Sequence, residues 1–172
     1  MQLTMKALEA RLNLLEAEKC IRETMNSYMR LCDCLGEGFD LDPLMNLFTE
    51  GAVWEGSGGR YSKTFGRYAG IEEIRMMFAK YIKSPAHFVT NVHFLTNELI
   101  NVSDGSARGS WLLLQPSTFS SGKSQLSAAK ISVEFEQGED GHWRMNKFQT
   151  ESMFSRPVID PWDNTAPLPV PE

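Results

Sequence analysis

Apolar side chains recur every three or four positions at the start of the chain and alternate with polar ones in its second half. Leu8, Leu12, Leu15, Ile21, Met25, Tyr28, Cys32 and Leu35 fall on one stripe of a 3.6-residue period, which predicts a helix over residues 5–35. Gly36 and Gly38 end it, as glycines past a last turn do. A short second helix is expected over 41–48, capped by Asp40 or Asp42 with Pro43 in its first turn. Residues 51–56 suit a short strand. Ile71, Ile74, Met77, Phe78 and Ile82 share a face, which predicts a third helix over 70–82, with Pro85 beyond its end.

From residue 87 onward β-branched and aromatic residues dominate. Strands are predicted over 87–101, 107–119, 125–137 and 142–154, with turns at Gly105, Gly122 and Gly138–Gly141. Helices first and an antiparallel meander afterwards make an α+β fold, with the helices packed on one face of a curved sheet. Such a sheet closes over its helices as a cone, and a cone encloses a pocket. A single domain over 1–155 is expected. The tail from Arg156 holds Pro157, Pro161, Pro167, Pro169 and Pro171, and is expected to be neither helix nor inner strand.

Composition narrows the function by exclusion. The 172 residues carry 17 basic and 22 acidic side chains, a net charge of -5 that disfavours nucleic acid or an anionic membrane as partner. No apolar run reaches the roughly 20 residues of a membrane span, and the charged first residues do not suit a signal peptide, so a cytoplasmic location is expected. Cys20, Cys32 and Cys34 are odd in number and lack the C-x-x-C spacing of a metal or redox site. Neither a Gly-rich phosphate loop nor an H-E-x-x-H is present, and no metal or cofactor is expected. The stretch Gly56-Ser57-Gly58-Gly59 reads as a flexible turn.

The candidate chemistry lies in a few polar groups. Alternation along 86–94 puts His87, Val89, Asn91 and His93 on one face and Phe88, Thr90, Val92 and Phe94 on the other. Asp33, at the C-terminal end of the first helix among Leu31, Cys32, Cys34 and Leu35, faces the negative end of the helix dipole, so it calls for a compensating partner. A carboxylate can hold an imidazole in one tautomer and stabilise it once protonated, and a tyrosine hydroxyl such as that of Tyr28 can polarise a carbonyl. Trp54, Tyr61, Phe65 and Tyr68 could line a hydrophobic mouth. Trp111 and Trp143 suit either face of the sheet, and Glu134 is expected outside.

The runs Tyr28–Asp33, Leu44–Trp54, Gly66–Ile74, His87–Asn91 and Gly141–Met145, taken together, resemble the SnoaL-like group of the NTF2-like superfamily over about residues 14–155. The resemblance is strongest to its branch of scytalone dehydratase, bile-acid 7α-dehydratase and lindane dehydrochlorinase. It implies a cystatin-like α+β cone and a homodimer or homotrimer. It also implies a cofactor-free lyase or isomerase acting on a hydrophobic cyclic small molecule such as a polyketide, steroid or aromatic intermediate. His87 would be the general base, Asp33 its orienting carboxylate, and Tyr28 and Asn91 the groups on the substrate oxygen. A non-catalytic small-molecule-binding protein, or a structural subunit like the β-subunit of a ring-hydroxylating dioxygenase, is the alternative.

Overall fold

The computed structural model of the chain describes residues 4–159 and 162. Helix α1 (Met5–Asp33) starts at Thr4, whose hydroxyl accepts from the Ala7 N–H at 3.3 Å. Its C-terminal half is the interior part: Ile21, Met25, Tyr28, Met29 and Cys32, spaced by three and four, are all buried. Leu8, Leu12 and Leu15 continue the same stripe but remain 48, 55 and 61% exposed. The periodicity therefore outruns the body that the helix packs against.

Helix α2 (Asp42–Met45) is shorter than expected, because Phe48 already opens strand β1 (Phe48–Ser57). Helix α3 (Gly58–Thr64) and strand β2 (Arg67–Ala69) follow, where the sequence suggested only a turn. Helix α4 spans Ile71–Phe78, less than the predicted 70–82. The remaining strands are β3 (Phe88–Asn91), β4 (Phe94–Ser103), β5 (Ser106–Phe119), β6 (Ser124–Gln137) and β7 (Trp143–Val158).

The described strands form one sheet in the order β2-β1-β7-β6-β5-β3, with β4 also on β5. Neighbours are antiparallel except β1 and β7, which run parallel with Trp54 opposite Phe148. A parallel pair needs a long crossover, and the intervening helices and strands supply it. Ala107, Trp111 and Leu113 on β5, Ile131, Val133 and Phe135 on β6, and Met145 and Phe148 on β7 bury their side chains in one core with Ile21, Met25, Ile74 and Phe78. Both Trp111 and Trp143 face inward, and Glu134 is exposed as expected. Gly109 makes room for Trp111: a Cβ there would lie 2.2 Å from the indole ring.

The outer face is divided. One zone is charged, with Lys147 3.0 Å from Glu55 and Arg108 3.6 Å from Glu134. The other is a row running straight across four strands, Phe94, Leu114, Ala128 and Phe154. The two phenylalanines and Leu114 of that row are exposed, while the small Ala128 between them is covered.

Strand β7 outlasts its neighbour β1, whose last partner pair is Ser57 with Glu151. Beyond that point β7 pairs, among the described residues, with β6 alone, and Pro157 sits opposite Gln125. The strand predicted over 142–154 therefore runs on to Val158, and its last residues, from Arg156, lie at a sheet edge. Proline is tolerated there because that stretch is a sheet edge. Pro161, Pro167, Pro169 and Pro171 lie outside the described residues.

Candidate active site

A cavity of about 470 Å³ lies between α1, α3, α4 and the inner face of the sheet. That volume is within the range of small-molecule sites. Its floor is aromatic. Trp54 stacks on Phe148 with centroids 5.7 Å apart, Phe65 meets Trp54 edge-on at 5.8 Å, and Tyr28 lies 4.8 Å from Phe148. Tyr61 joins them from α3, its ring 4.8 Å from Phe65. Gly56 makes this possible: a Cβ at that position would lie 2.4 Å from the Tyr61 carbonyl oxygen. The glycine-rich stretch is thus partly a close-packing device that seats α3 over β1, beyond the flexible turn expected there. Tyr68 does not line the cavity; its ring packs against Trp54 at 6.3 Å, with the Lys80 ammonium 5.5 Å from its centroid. Its expected substrate contact is corrected to a supporting one.

The strand that carries the histidines departs from simple alternation. Its pairing with β5 is irregular between Phe88 and Thr90, and the strand is interrupted at Val92–His93 before β4 begins. Each irregularity resets which face a side chain takes. Val89 is consequently 61% exposed, while Phe88 lines the cavity together with His87, Asn91 and His93.

That reset decides the partner of Asp33. Asp33 Oδ1 lies 2.6 Å from His93 Nδ1 and also accepts the His93 backbone N–H at 3.0 Å. The histidine expected at Asp33 was His87, and in the structure it is His93. An oxygen that already accepts a backbone N–H acts as acceptor, so Nδ1 carries the proton and Nε2 is the basic nitrogen. His87 lies among aromatic rings instead, 4.4 Å from Phe88, 5.4 Å from Tyr81 and 5.4 Å from Phe119.

Tyr28 accepts a hydrogen bond from Trp54 Nε1 at 2.9 Å. Burial pushes its hydroxyl well above the ordinary phenol range, and burial likewise raises the Cys32 thiol one turn further on. Both groups are therefore neutral at ordinary pH.

The cavity also has a wall of uncharged polar side chains, of which the sequence reading singled out Asn91 alone. Asn91 Oδ1 accepts from Gln115 Nε2 at 2.7 Å and from Ser117 Oγ at 2.8 Å. Gln125 Nε2 donates to Ser127 Oγ at 2.7 Å, and Ser127 and Ser155 hydroxyls meet at 3.1 Å. The signal was available: positions 115 and 117 share the parity of inward Trp111 and Leu113, and 125 and 127 that of inward Ile131 and Val133. Polar residues at core parity mark a wet part of the interior. Among the described residues, no three His, Cys, Asp or Glu side chains converge as metal ligands.

The folded chain is similar to several solved structures. Hexachlorocyclohexane dehydrochlorinase LinA-type3 from Novosphingobium barchaimii LL02 is 19% identical, with a TM-score of 0.72 over 92% of this chain and 99% of that one. A structure from Novosphingobium aromaticivorans described as an NTF2-like protein with a cystatin-like fold is 21% identical, with a TM-score of 0.63 over 89% and 92%. A protein of Novosphingobium aromaticivorans DSM 12444, provisionally described as a scytalone dehydratase, is 14% identical, with a TM-score of 0.67 over 91% and 99%. At these identities the likeness concerns the fold, an NTF2-like, cystatin-like α+β cone. None of the curated proteins matches the sequence. The SnoaL-like domain matches residues 13–149, which include α1 from Asn13 onward and most of the cavity and of the sheet, and the chain accordingly belongs to the SnoaL-like family.

Proposed function

We propose that the protein is a cofactor-free lyase or isomerase that removes a proton beside a carbonyl of a hydrophobic cyclic small molecule. The observation that carries this reading is the Asp33–His93 pair at 2.6 Å, on the wall of a cavity whose other side is aromatic. His93 Nε2 takes the proton from carbon, and the Asp33 carboxylate stabilises the imidazolium that forms. The electron pair moves onto the carbonyl oxygen, where the Asn91 amide and the neutral Tyr28 hydroxyl donate hydrogen bonds. The imidazolium then returns its proton, to a departing hydroxyl in an elimination or to another carbon in an isomerisation. Trp54, Phe65 and Phe148 hold the ring and keep water from the reacting carbon. His87 borders the same cavity from its aromatic rim, and its role is to complete the wall rather than to take the proton.

Two of the structural neighbours, one a dehydrochlorinase and one provisionally described as a dehydratase, support an elimination. The test is turnover across a panel of cyclic hydroxyketones and halogenated rings. Conversion lost on His93→Ala and on Asp33→Asn supports the mechanism. Ligand returned unchanged across the panel favours the non-catalytic binding protein instead. The open row of Phe94, Leu114 and Phe154 supports a homo-oligomer that covers it with a second copy of the chain.

A further inference from the structure

The polar wall says more about the substrate than the aromatic floor does. Gln115, Ser127 and Ser155 lie in one register row across β5, β6 and β7, and Asn91, Ser117 and Gln125 in the next row across β3, β5 and β6. Six neighbouring inward positions are thus all amides or hydroxyls, on strands whose other inward positions are mostly apolar, among them Trp111, Leu113, Ile131, Val133 and Phe135. Ser117 and Ser127 are only 4 and 6% exposed. Polar groups are kept in such a place only when they have partners. The partners they find among themselves use up part of their capacity. Asn91 Oδ1 takes both lone-pair sites' worth of donors, from Gln115 and Ser117, which turns its Nδ2 toward a different acceptor. Among the described residues no acceptor pairs with that Nδ2. The residues lining the cavity include no Asp, Glu or Lys, and one arginine, Arg60 of α3.

We propose that the cavity takes a ring that carries oxygen, with a ring carbonyl or hydroxyl oxygen on Asn91 Nδ2, and that Gln115 and Ser117 are positioning residues that fix the Asn91 amide with its donor end toward that oxygen. A pure halocarbon or hydrocarbon leaves the amide donor without a partner and is selected against. A cationic substrate meets no carboxylate on the lining, and the fixed positive charge there is Arg60 of α3, an exposed residue. This inference rests on the proposed proton abstraction only for the identity of the oxygen that Asn91 holds. The binding preference stands on the wall alone.

The test uses two probes of one shape, 1-indanone and indane, which differ by a ring oxygen, with binding read by equilibrium dialysis. Wild-type protein is expected to hold 1-indanone about 10-fold more tightly than indane, the scale of one hydrogen bond to a group otherwise left unpaired. In Ser117→Ala and in Gln115→Leu the preference is expected to shrink to about 3-fold or less, while indane affinity stays within twofold of wild type. Ser117→Ala removes one hydroxyl and serves if Gln115→Leu does not fold. A general loss of structure would weaken both probes together, which a positioning role does not. Equal binding of the two probes to wild type, binding of neither, or an unchanged preference in a folded variant overturns the proposal. Asp33→Asn separates the two readings: it is expected to keep the 1-indanone preference, whether or not any turnover is found. Failure of catalysis with the preference intact therefore counts only against the proton-abstraction mechanism.

Discussion

Trp54 Nε1 donates to the Tyr28 hydroxyl at 2.9 Å, and both side chains border the cavity. The bond occupies one lone pair of the phenol and leaves its proton for another acceptor. Tyr28→Phe removes that proton and strands the buried indole N–H, so a stability loss of about 1–3 kcal/mol is expected along with the loss of turnover. Trp54→Phe removes the donor but leaves the phenol, and is expected to reduce turnover less than Tyr28→Phe does. Steady-state kinetics beside urea unfolding of both variants checks this. The opposite order of turnover would remove Tyr28 from the mechanism.

The pairing of Asp33 with His93 distinguishes the two cavity histidines. His93→Ala and Asp33→Asn are each expected to lower kcat by about 100-fold or more, the scale of lost acid–base help. His87→Ala, which disturbs only an aromatic edge cluster, is expected to cost less than about 10-fold. Kinetics on the three variants with the first substrate found decides between them; a larger loss at His87 would return the base to that position.

Gly109 lies under the Trp111 ring, whose Nε1 donates to Glu98 at 3.2 Å while Glu98 holds Arg22 of α1 at 2.7 Å. A methyl group there must push the indole aside and loosen the tie between sheet and helix. Gly109→Ala is expected to destabilise the fold by about 1–3 kcal/mol. Chemical denaturation measures this, and an unchanged midpoint would show that the ring has room to move.

The hairpin between β6 and β7 carries a pH-dependent contact. Arg144 grips Asp140 with two hydrogen bonds, of 2.9 and 2.6 Å, and the His142 backbone N–H adds a third. These bonds, that from Arg144 first, hold the Asp140 carboxyl well below the usual carboxylate range. A group lowered on folding contributes its stability in full above its unfolded pKa of about 4 and loses it as pH falls toward the folded value. Asp140→Asn is therefore expected to lower Tm near neutral pH, with the gap to wild type closing in acid. A gap of constant size from pH 7 to pH 2 would contradict this.

On the outer face, Phe94→Glu together with Phe154→Lys places charge in the open apolar row. If a second copy covers that row, sedimentation is expected to show the double variant at a smaller mass than wild type. Equal masses would assign the row to no interface between copies.

The sequence made the helices-then-sheet order plain because each period was long. The 3.6-residue stripe on α1 spans many turns, and β5 to β7 are each strands of more than ten residues that follow a glycine turn. Single-residue irregularities were not visible in the same way. The pairing shift between Phe88 and Thr90 and the break at Val92–His93 depend on how β3 and β4 share the long strand β5, a tertiary matter. Simple alternation placed His87 and His93 on the same face, but it could not say which of them meets Asp33. The stripe on α1 predicted the helix but not its projecting start, since a periodic stripe states what could be buried and not what is there to bury it. The polar wall was legible in retrospect from strand parity.

The overhang of β7 has a consequence for how this chain behaves in a crowd. Past Glu151 the strand has no partner on its second side among the described residues, the kind of margin onto which an unrelated extended peptide can zip. Arg156 and Pro157 stand on that margin, one bringing an exposed charge and the other withholding an N–H. They act as gatekeepers against amyloid-like stacking, so the proline that looked like the start of a tail protects the sheet it terminates.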